Sequence, residues 1–554
     1  MKNRKMKSRS SQLVEKRING TVQTIYDAPF HNLYDTLAAT ESKFANKIGL
    51  VDDKEKITYA EFKHRVDITA YYLSTELHVQ QGESVAMMFV NSIDFCVVFY
   101  ALAKLGCVAV TINTKLQSEE IIYILQDTKV KILFMNSIWW NKVSRIIDDS
   151  FIKQIIFDKT FAAEDCKIKY CLMSDVLKQV NERHYETISS VQDYLLPVLI
   201  MYTSGTTGKP KGAVISHLNI LQNVYAYQDM LDMDESESTV LAVPIFHITG
   251  LSCLMALFVY IGGLTILTPY FHADEVMDKM TEYKVTHFHA VPTVYRMLSE
   301  AACEHHNLSS LKAAVCGGGY ISPDEISEFC QWAPNVKFHP AYGMTETAGA
   351  AVLFSENANT TDKRTAAGLV MPNVEIKIFD SEFHELPTGE NGQICLRGAV
   401  VISHYLNIDT SCNRYKEWFL SGDIGHFDED GYIYVVDRIK DVINRGGEKI
   451  FPREVENALI SIEGIKNAVV FAVSDSLFGE VPAAAIMLDN YSKLKVRDIQ
   501  EALKGKLAKY KVPVYIEFRN EFHCTASGKV QKNVLRDEFE AIYGADTFEI
   551  RKEN

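Results

Sequence analysis

The residues from Tyr202 to Gly212, YTSGTTGKPKG, gather groups that bind phosphate and almost nothing that could pack in a core. Thr203, Ser204, Thr206 and Thr207 supply hydroxyl donors, and Lys209 and Lys211 supply positive charge. Gly205, Gly208 and Gly212 let backbone N–H groups turn toward a ligand, so the natural occupant is a polyphosphate. A flexible Gly/Thr surface turn is the plainer alternative. A Walker A loop is excluded, because it needs G-x-x-x-x-G-K-[ST] opening a helix. Here Gly205 and Gly208 stand too close, Pro210 follows Lys209, and the strand-like Ala213–Ile215 comes next.

Other stretches carry polar groups whose meaning depends on company. Val315–Tyr320 is an apolar run ending in Gly317, Gly318 and Gly319, and Ala341–Thr347 reads AYGMTET. Trp418–Gly425 contains Asp423, Asp437–Glu448 contains Arg438 and Lys440, and Cys524–Val530 contains Lys529. Taken singly, an Asp, Arg or Lys in such places is a solvated charge. His247, after Phe246, reads alone as a satisfied structural histidine. His287 and His289 stand at i, i+2 with no third metal ligand in view, which favours strand packing.

Taken together, these stretches resemble the adenylate-forming superfamily, and specifically its acyl-CoA synthetase and fatty- or aryl-acid–CoA ligase members. The likeness spans the chain after the first thirty residues. It implies that Thr203 to Lys209 and Lys211 hold the ATP phosphates. Gly317, Gly318, Gly319 and Tyr342 would hold adenine, and Asp423 and Arg438 the ribose. Thr345 would bond the α-phosphate, Glu346 would hold Mg²⁺, and Lys529 would be the catalytic lysine. His247 and Thr249 would border the acyl pocket. Lys440 would be the hinge of a small mobile C-terminal domain, which presents Asn444, Gly446, Gly447 and Lys449 to CoA. Departures exist: Tyr320 stands for a commoner proline, Pro340-Ala341 for Gln-Gly, and Cys524, Thr525 and Ala526 for basic or proline residues. None removes a charged group assigned to chemistry. The co-substrates and cofactor implied are ATP, Mg²⁺ and CoA. The reaction implied is activation of a carboxylic acid to an acyl-adenylate, pyrophosphate release, and transfer to the CoA thiol. Loading of a carrier-protein thiol in trans, or a catalytically silent acyl or nucleotide binder, are the alternatives.

Elements must position these groups. Thr58 can cap a helix reaching about Leu77, and Val85–Val90 reads as a buried strand. A helix over Ile93–Leu105 ends at Gly106, a strand follows at Val108–Ile112, then a helix near Glu119–Gln126 and a strand at Val130–Phe134. This alternation predicts an α/β fold: a large N-terminal region with helix-covered, mostly parallel sheets. The C-terminal domain should be small and α+β, with strands at Ala468–Val473 and Ala483–Met487 and a helix at Val496–Leu507. The expected division is a basic, disordered tail over 1–30, an adenylate-forming domain over 31–437 and a lid over 438–554.

Bulk properties narrow the classes. The 554 residues are too many for one ordinary domain, and 47% hydrophobic with 23% charged residues is globular composition. A net charge of −14 argues against nucleic-acid binding, so anionic ligands need a local site. Eleven scattered cysteines without a C-x-x-C pair point to reduced thiols in the cytoplasm. Ile248–Leu267 is uncharged and long enough to span a bilayer, but Gly262-Gly263 interrupts it; a buried helix and then a buried strand is the expectation. The basic N-terminus leaves peripheral membrane contact open. The candidate pocket stretches 245–255, 289–297, 317–320 and 341–350 are largely apolar, which favours a fatty or aromatic acid over an amino acid. A monomer or a homodimer is equally compatible with the sequence.

Overall fold

A computed structural model describes residues 12–27, 29–148, 151–160, 166–178, 188–203, 210–301, 308–409, 413–489, 492–524 and 530–543. Contacts divide the chain into two compact units, Met1–Glu375 with Leu396–Phe419, and Ile376–Cys395 with Leu420–Asn554.

The first unit holds two α/β sheets. In one, the strands Tyr170–Leu172, Gln154–Phe157, Ile132–Met135, Ser84–Met88, Val108–Thr111 and Pro197–Thr203 run parallel side by side. Lys211–Ser216 and His404–Tyr405 close that edge antiparallel. The strands read as continuous apolar runs because both faces are covered. Helix boundaries follow local chemistry. Thr58 and Glu61 form a reciprocal capping box for Tyr59–Thr75, an arrangement in which the cap contributes about 1 kcal/mol. Ser92 caps Ile93–Leu105, and Gly106, at φ +68°, ends it in the left-handed conformation that glycine adopts without strain.

In the second sheet the parallel strands are Ile48–Val51, Leu264–Leu267, Ser238–Leu241, His287–Ala290, Ala313–Cys316 and Lys337–Met344. Gly349–Leu353 returns antiparallel to Lys337–Met344. The apolar stretch 248–267 is a buried π-helix at Thr249–Ala256, continued as α-helix to Ile261, followed by the strand Leu264–Leu267. Among the described residues no helix is long and apolar enough to cross a membrane.

The second unit contains an α+β layer. Ile465–Asp475 and Gly479–Leu488 pair antiparallel, with Tyr515–Phe518 parallel beside the latter. Side chains alternate along the first strand. Ala468 and Val470 face Val455, Leu459, Ile499 and Leu503 of two helices, while Val469, Phe471 and Val473 face Leu535 and Phe539 of a third.

Two expectations about domain limits differ from what is observed. Residues 12–27 are not a disordered tail: Leu13–Ile18 and Thr21–Tyr26 form a hairpin. Asn19 and Gly20 both take positive φ at its turn, and Ile18 and Ile25 pack on Leu218 and Ala399. The contacts also do not divide at 437/438, since 376–395 and 420–437 group with the C-terminal residues.

Candidate active site

The phosphate-loop candidate springs from an antiparallel hairpin whose stems are Pro197–Thr203 and Lys211–Ser216. Val198 to Met201 are buried against neighbouring strands, and Thr203 and Lys211 form the last paired position before the loop. Both stems are fixed by sheet hydrogen bonds up to this pair. Ser204, Gly205, Thr206, Thr207, Gly208 and Lys209 lie outside the described residues.

In the second sheet three parallel strands, His287–Ala290, Ala313–Cys316 and Lys337–Met344, lie side by side. Ala290, Cys316 and Pro340 are in register, so Gly317–Gly319 leaves one strand beside Ala341–Met344 of the next, which runs on into the turn Thr345–Thr347. Ligands of open α/β sheets bind at the carboxyl ends of the strands. Gly318 has φ +76°, a conformation that side chains resist. Gly343 is required by contact: a Cβ there would lie 2.0 Å from the Gly349 carbonyl oxygen of the return strand. Tyr342 and Thr345 are half-buried. Thr347 is buried, and its hydroxyl accepts from the Met344 N–H and donates to the Gly349 carbonyl, which closes the single turn carrying Thr345 and Glu346.

Glu346 joins the turn to the phosphate hairpin. Its Oε1 accepts a 2.7 Å hydrogen bond from the Tyr405 hydroxyl and lies 3.4 Å from the Thr203 hydroxyl. Lys211 Nζ stands 5.7 Å from the Tyr405 ring centroid. Tyr405 was not among the residues singled out from the sequence. It reaches the site only because His404–Tyr405 pairs with Ala213 and Val214, a contact no local pattern announces. Among the described residues no group of three or more His, Cys, Asp and Glu could cage a metal. A single carboxylate fits Mg²⁺ nonetheless, since that ion is commonly held by one or two carboxylates together with substrate phosphates and water.

Phe246 and His247 follow a tight turn in which His247 N–H donates to the Pro244 carbonyl at 3.0 Å. Asn91 clamps the approach, donating to the Leu241 and Val243 carbonyls and accepting from Ile245 N–H. Thr249 opens the π-helix, a rare element that is frequent at functional sites. His287 and His289 are both buried in the strand His287–Ala290.

In the second unit Asp423 and Arg438 are direct cross-strand partners, and Arg438 Nε donates to Asp423 Oδ1 at 2.9 Å. Asp423 is 5% exposed, and Arg438 is open to solvent. Lys440 is exposed in the short turn Ile439–Asp441. Asn444–Lys449 is a hairpin tip: Gly446 and Gly447 have φ +59° and +98°, and Asn444 Oδ1 accepts from Gly447 N–H. Lys529 lies outside the described residues; Cys524 and Val530 on either side of its loop form an antiparallel bridge.

Comparison with known proteins agrees with this geometry. The family model described as AMP-binding enzyme matches residues 37–406, and that described as AMP-binding enzyme C-terminal domain matches 454–529. A long-chain-fatty-acid–CoA ligase of Bacillus subtilis (strain 168) is 29% identical over 541 residues, covering 92% of this chain and 95% of the relative. The solved anthranilate CoA ligase AuaEII, in complex with anthranoyl-AMP, superposes with a TM-score of 0.85 at 26% identity, covering 93% of this chain and 98% of that one. The O-succinylbenzoate Coenzyme A synthetase of Bacillus subtilis, in complex with ATP and magnesium ion, gives 0.77 at 27% identity, over 91% and 99%. With these matches over most of its length, the chain belongs to the AMP-binding, adenylate-forming enzyme family.

Proposed function

We propose that the protein is an AMP-forming acid–CoA ligase acting on a fatty or aromatic carboxylic acid. The observation that carries this reading is the Glu346 carboxylate, held by Tyr405 and beside Thr203 at the base of the phosphate hairpin. The solved relatives with ATP, magnesium and an acyl-adenylate, and the fatty-acid ligase relative, support it.

In the first half-reaction a carboxylate oxygen attacks the α-phosphorus of ATP, a P–O bond forms, and pyrophosphate leaves. Two anions must approach, so the site has to supply positive charge and fixed donors. In this chain Lys211, the hydroxyl of Thr203 and the loop beyond it serve the phosphates, and Thr345 faces the transferring group. Mg²⁺, when bound, supplies charge neutralisation on the phosphate oxygens, and Glu346 is its carboxylate. Asp423, oriented by Arg438, receives the ribose hydroxyls. Lys529 is assigned the bridge between carboxylate and α-phosphate oxygens.

In the second half-reaction the CoA sulfur attacks the acyl carbonyl, a thioester forms, AMP leaves and the thiol proton is released. Rotation about Lys440 would withdraw Lys529 and bring forward Asn444, Gly446, Gly447 and Lys449, whose glycines leave room for a narrow pantetheine arm. The buried thiols of Cys96, Cys107, Cys253, Cys316 and Cys395, none of them in a disulfide, support a reducing, cytoplasmic setting.

The test is ATP–pyrophosphate exchange over a panel of fatty and aromatic acids, followed by a CoA chase. Acid-dependent exchange, with the bound acyl group discharged by CoA, supports the reading. Exchange without discharge by CoA would move the acceptor to a carrier-protein thiol, and exchange with no acid at all would overturn it.

A further inference from the structure

His289 is buried, yet strand packing does not account for an imidazole there. It shares one face of the strand His287–Ala290 with His287, while Phe288 faces the other way, onto Tyr295. On the histidine face stand Tyr227, 6.0 Å from the His289 ring, and Phe258, 5.6 Å from the His287 ring. Phe258 belongs to the helix that continues the π-helix from Thr249, so His289 lies on the side of the sheet that bears the candidate acyl-pocket wall.

The two ring nitrogens have different surroundings. Nδ1 is buried with no hydrogen-bond partner. Nε2 points to the strand end: it lies 3.5 Å from where a side-chain carbon would sit at Gly317, the first of the three glycines. Glycine at that position puts no side-chain carbon against Nε2, where any other residue would place one in van der Waals contact. Burial holds the ring's pKa down at about 3, so the imidazole is neutral near pH 7 and carries one proton. A buried orphan N–H is rarer than a buried orphan lone pair, which puts the proton on Nε2 and the bare lone pair on Nδ1. The strand end thus presents one N–H donor toward Gly317. A leucine would fill the same place without leaving a buried polar atom unsatisfied, so the imidazole is unfavourable here unless a ligand uses it.

We propose that His289 Nε2–H donates a hydrogen bond to an oxygen carried on the acyl part of the substrate, so that the acid is a hydroxy-, alkoxy- or oxo-substituted one in preference to a plain hydrocarbon acid. This rests on the acid–CoA ligase reading and names its substrate class more narrowly. His289 is then a specificity-determining residue: it touches the acyl group away from the carboxylate and takes no part in bond making.

The experiment uses the full chain and matched acids, cinnamic against 4-hydroxycinnamic and decanoic against hydroxydecanoic, with kcat/KM read from CoA-dependent AMP release. The wild type should prefer an oxygenated member in at least one pair. His289→Leu should lower kcat/KM for that member by about 10- to 100-fold. It should leave the plain member unchanged or improved and the KM for ATP unaltered. Gly317→Ala sets a methyl at van der Waals distance from Nε2; because Gly317 is also assigned to adenine, any loss through ATP falls on both members of a pair alike, and the ratio between them should still fall even if His289→Leu folds poorly. Equal losses for both members, a raised KM for ATP in place of lost acid selectivity, or a wild type that prefers the plain acids would each overturn the assignment. Absence of AMP release by the wild type with every acid would instead bring down the ligase reading itself.

Discussion

Glu346 illustrates how a single carboxylate is made useful by two neighbours. Tyr405 donates to Oε1, and Thr203 lies within reach of the same oxygen; in the proposed reaction Oε2 would serve a cation. A hydrogen bond to a charged group contributes about 1.5–3 kcal/mol, so Tyr405→Phe should cut acid-dependent pyrophosphate exchange about 10- to 100-fold while thermal stability changes little. The Mg²⁺ concentration for half-maximal exchange should rise with it. Unchanged exchange and Mg²⁺ dependence would show that Tyr405 does not position the carboxylate. At this scale the sequence points to positions that stand in motifs, as with Thr345, Glu346, Asp423 and Arg438, whose proposed roles rest on those motifs. It is silent on Tyr405, because that role arises from strand pairing between positions about 190 residues apart. It is silent on His289 for a related reason: burial and the bare face of Gly317 are properties of neighbouring strands, not of THFHAVPT itself.

The strands and turns around the site make separate demands. A methyl at Gly343 would press on backbone atoms of Gly349 and Ala350, which cannot swing aside as a side chain can. Gly343→Ala should therefore destabilise the protein by about 3 kcal/mol and abolish exchange. Gly505→Ala, where nothing lies within 4 Å and φ is −84°, should be neutral in the same chemical melts. The histidines buried among these elements add a pH dependence. Burial lowers His217 and His289 to about 3 and His339 to about 4, against about 6.5 in an unfolded chain. Above pH 6.5 the rings are neutral in both states and cost nothing. As pH falls below that value the unfolded chain takes up protons that the folded one refuses, so stability falls by about 1.4 kcal/mol per ring per pH unit until the folded values are reached. Melts at pH 7.5, 6.0 and 5.0 should show this decline, and His289→Leu should have a shallower slope by one ring; an equal slope would contradict the buried neutral state.

Element boundaries were mostly legible because they rest on local chemistry: Thr58 and Glu61 start one helix, Ser92 and Gly106 bound another. The hairpin at 13–26 is hard to see in the sequence although Asn19-Gly20 carries its turn signal, since the basic residues of the first thirty positions read as a disordered tail. The π-helical path of 249–256 has no separate sequence mark, because its apolar spacing serves an α-helix equally well.

For the whole molecule, the α/β architecture follows from the alternation of apolar strands with helices, but the limits of the two compact units do not. They depend on which long-range pairings 376–395 and 420–437 make. The proposed turn about Lys440 nevertheless has a clean kinetic consequence. Lys440→Pro fixes φ at a residue that must change conformation, so it should slow thioester formation at least tenfold while leaving pyrophosphate exchange nearly intact. Lys529→Ala should do the reverse, depressing exchange while sparing thioester formation from supplied acyl-adenylate. Equal loss of both steps in both variants would remove the division of labour between lysine and hinge. The most direct measurement of the central claim is product stoichiometry by mass spectrometry from purified protein, ATP–Mg²⁺, CoA and a panel of fatty and oxygen-substituted aromatic acids. One acyl-CoA, one AMP and one pyrophosphate for each ATP consumed is the expected result. Formation of ADP and phosphate, or ATP turnover with no acyl-CoA from any acid, would contradict it.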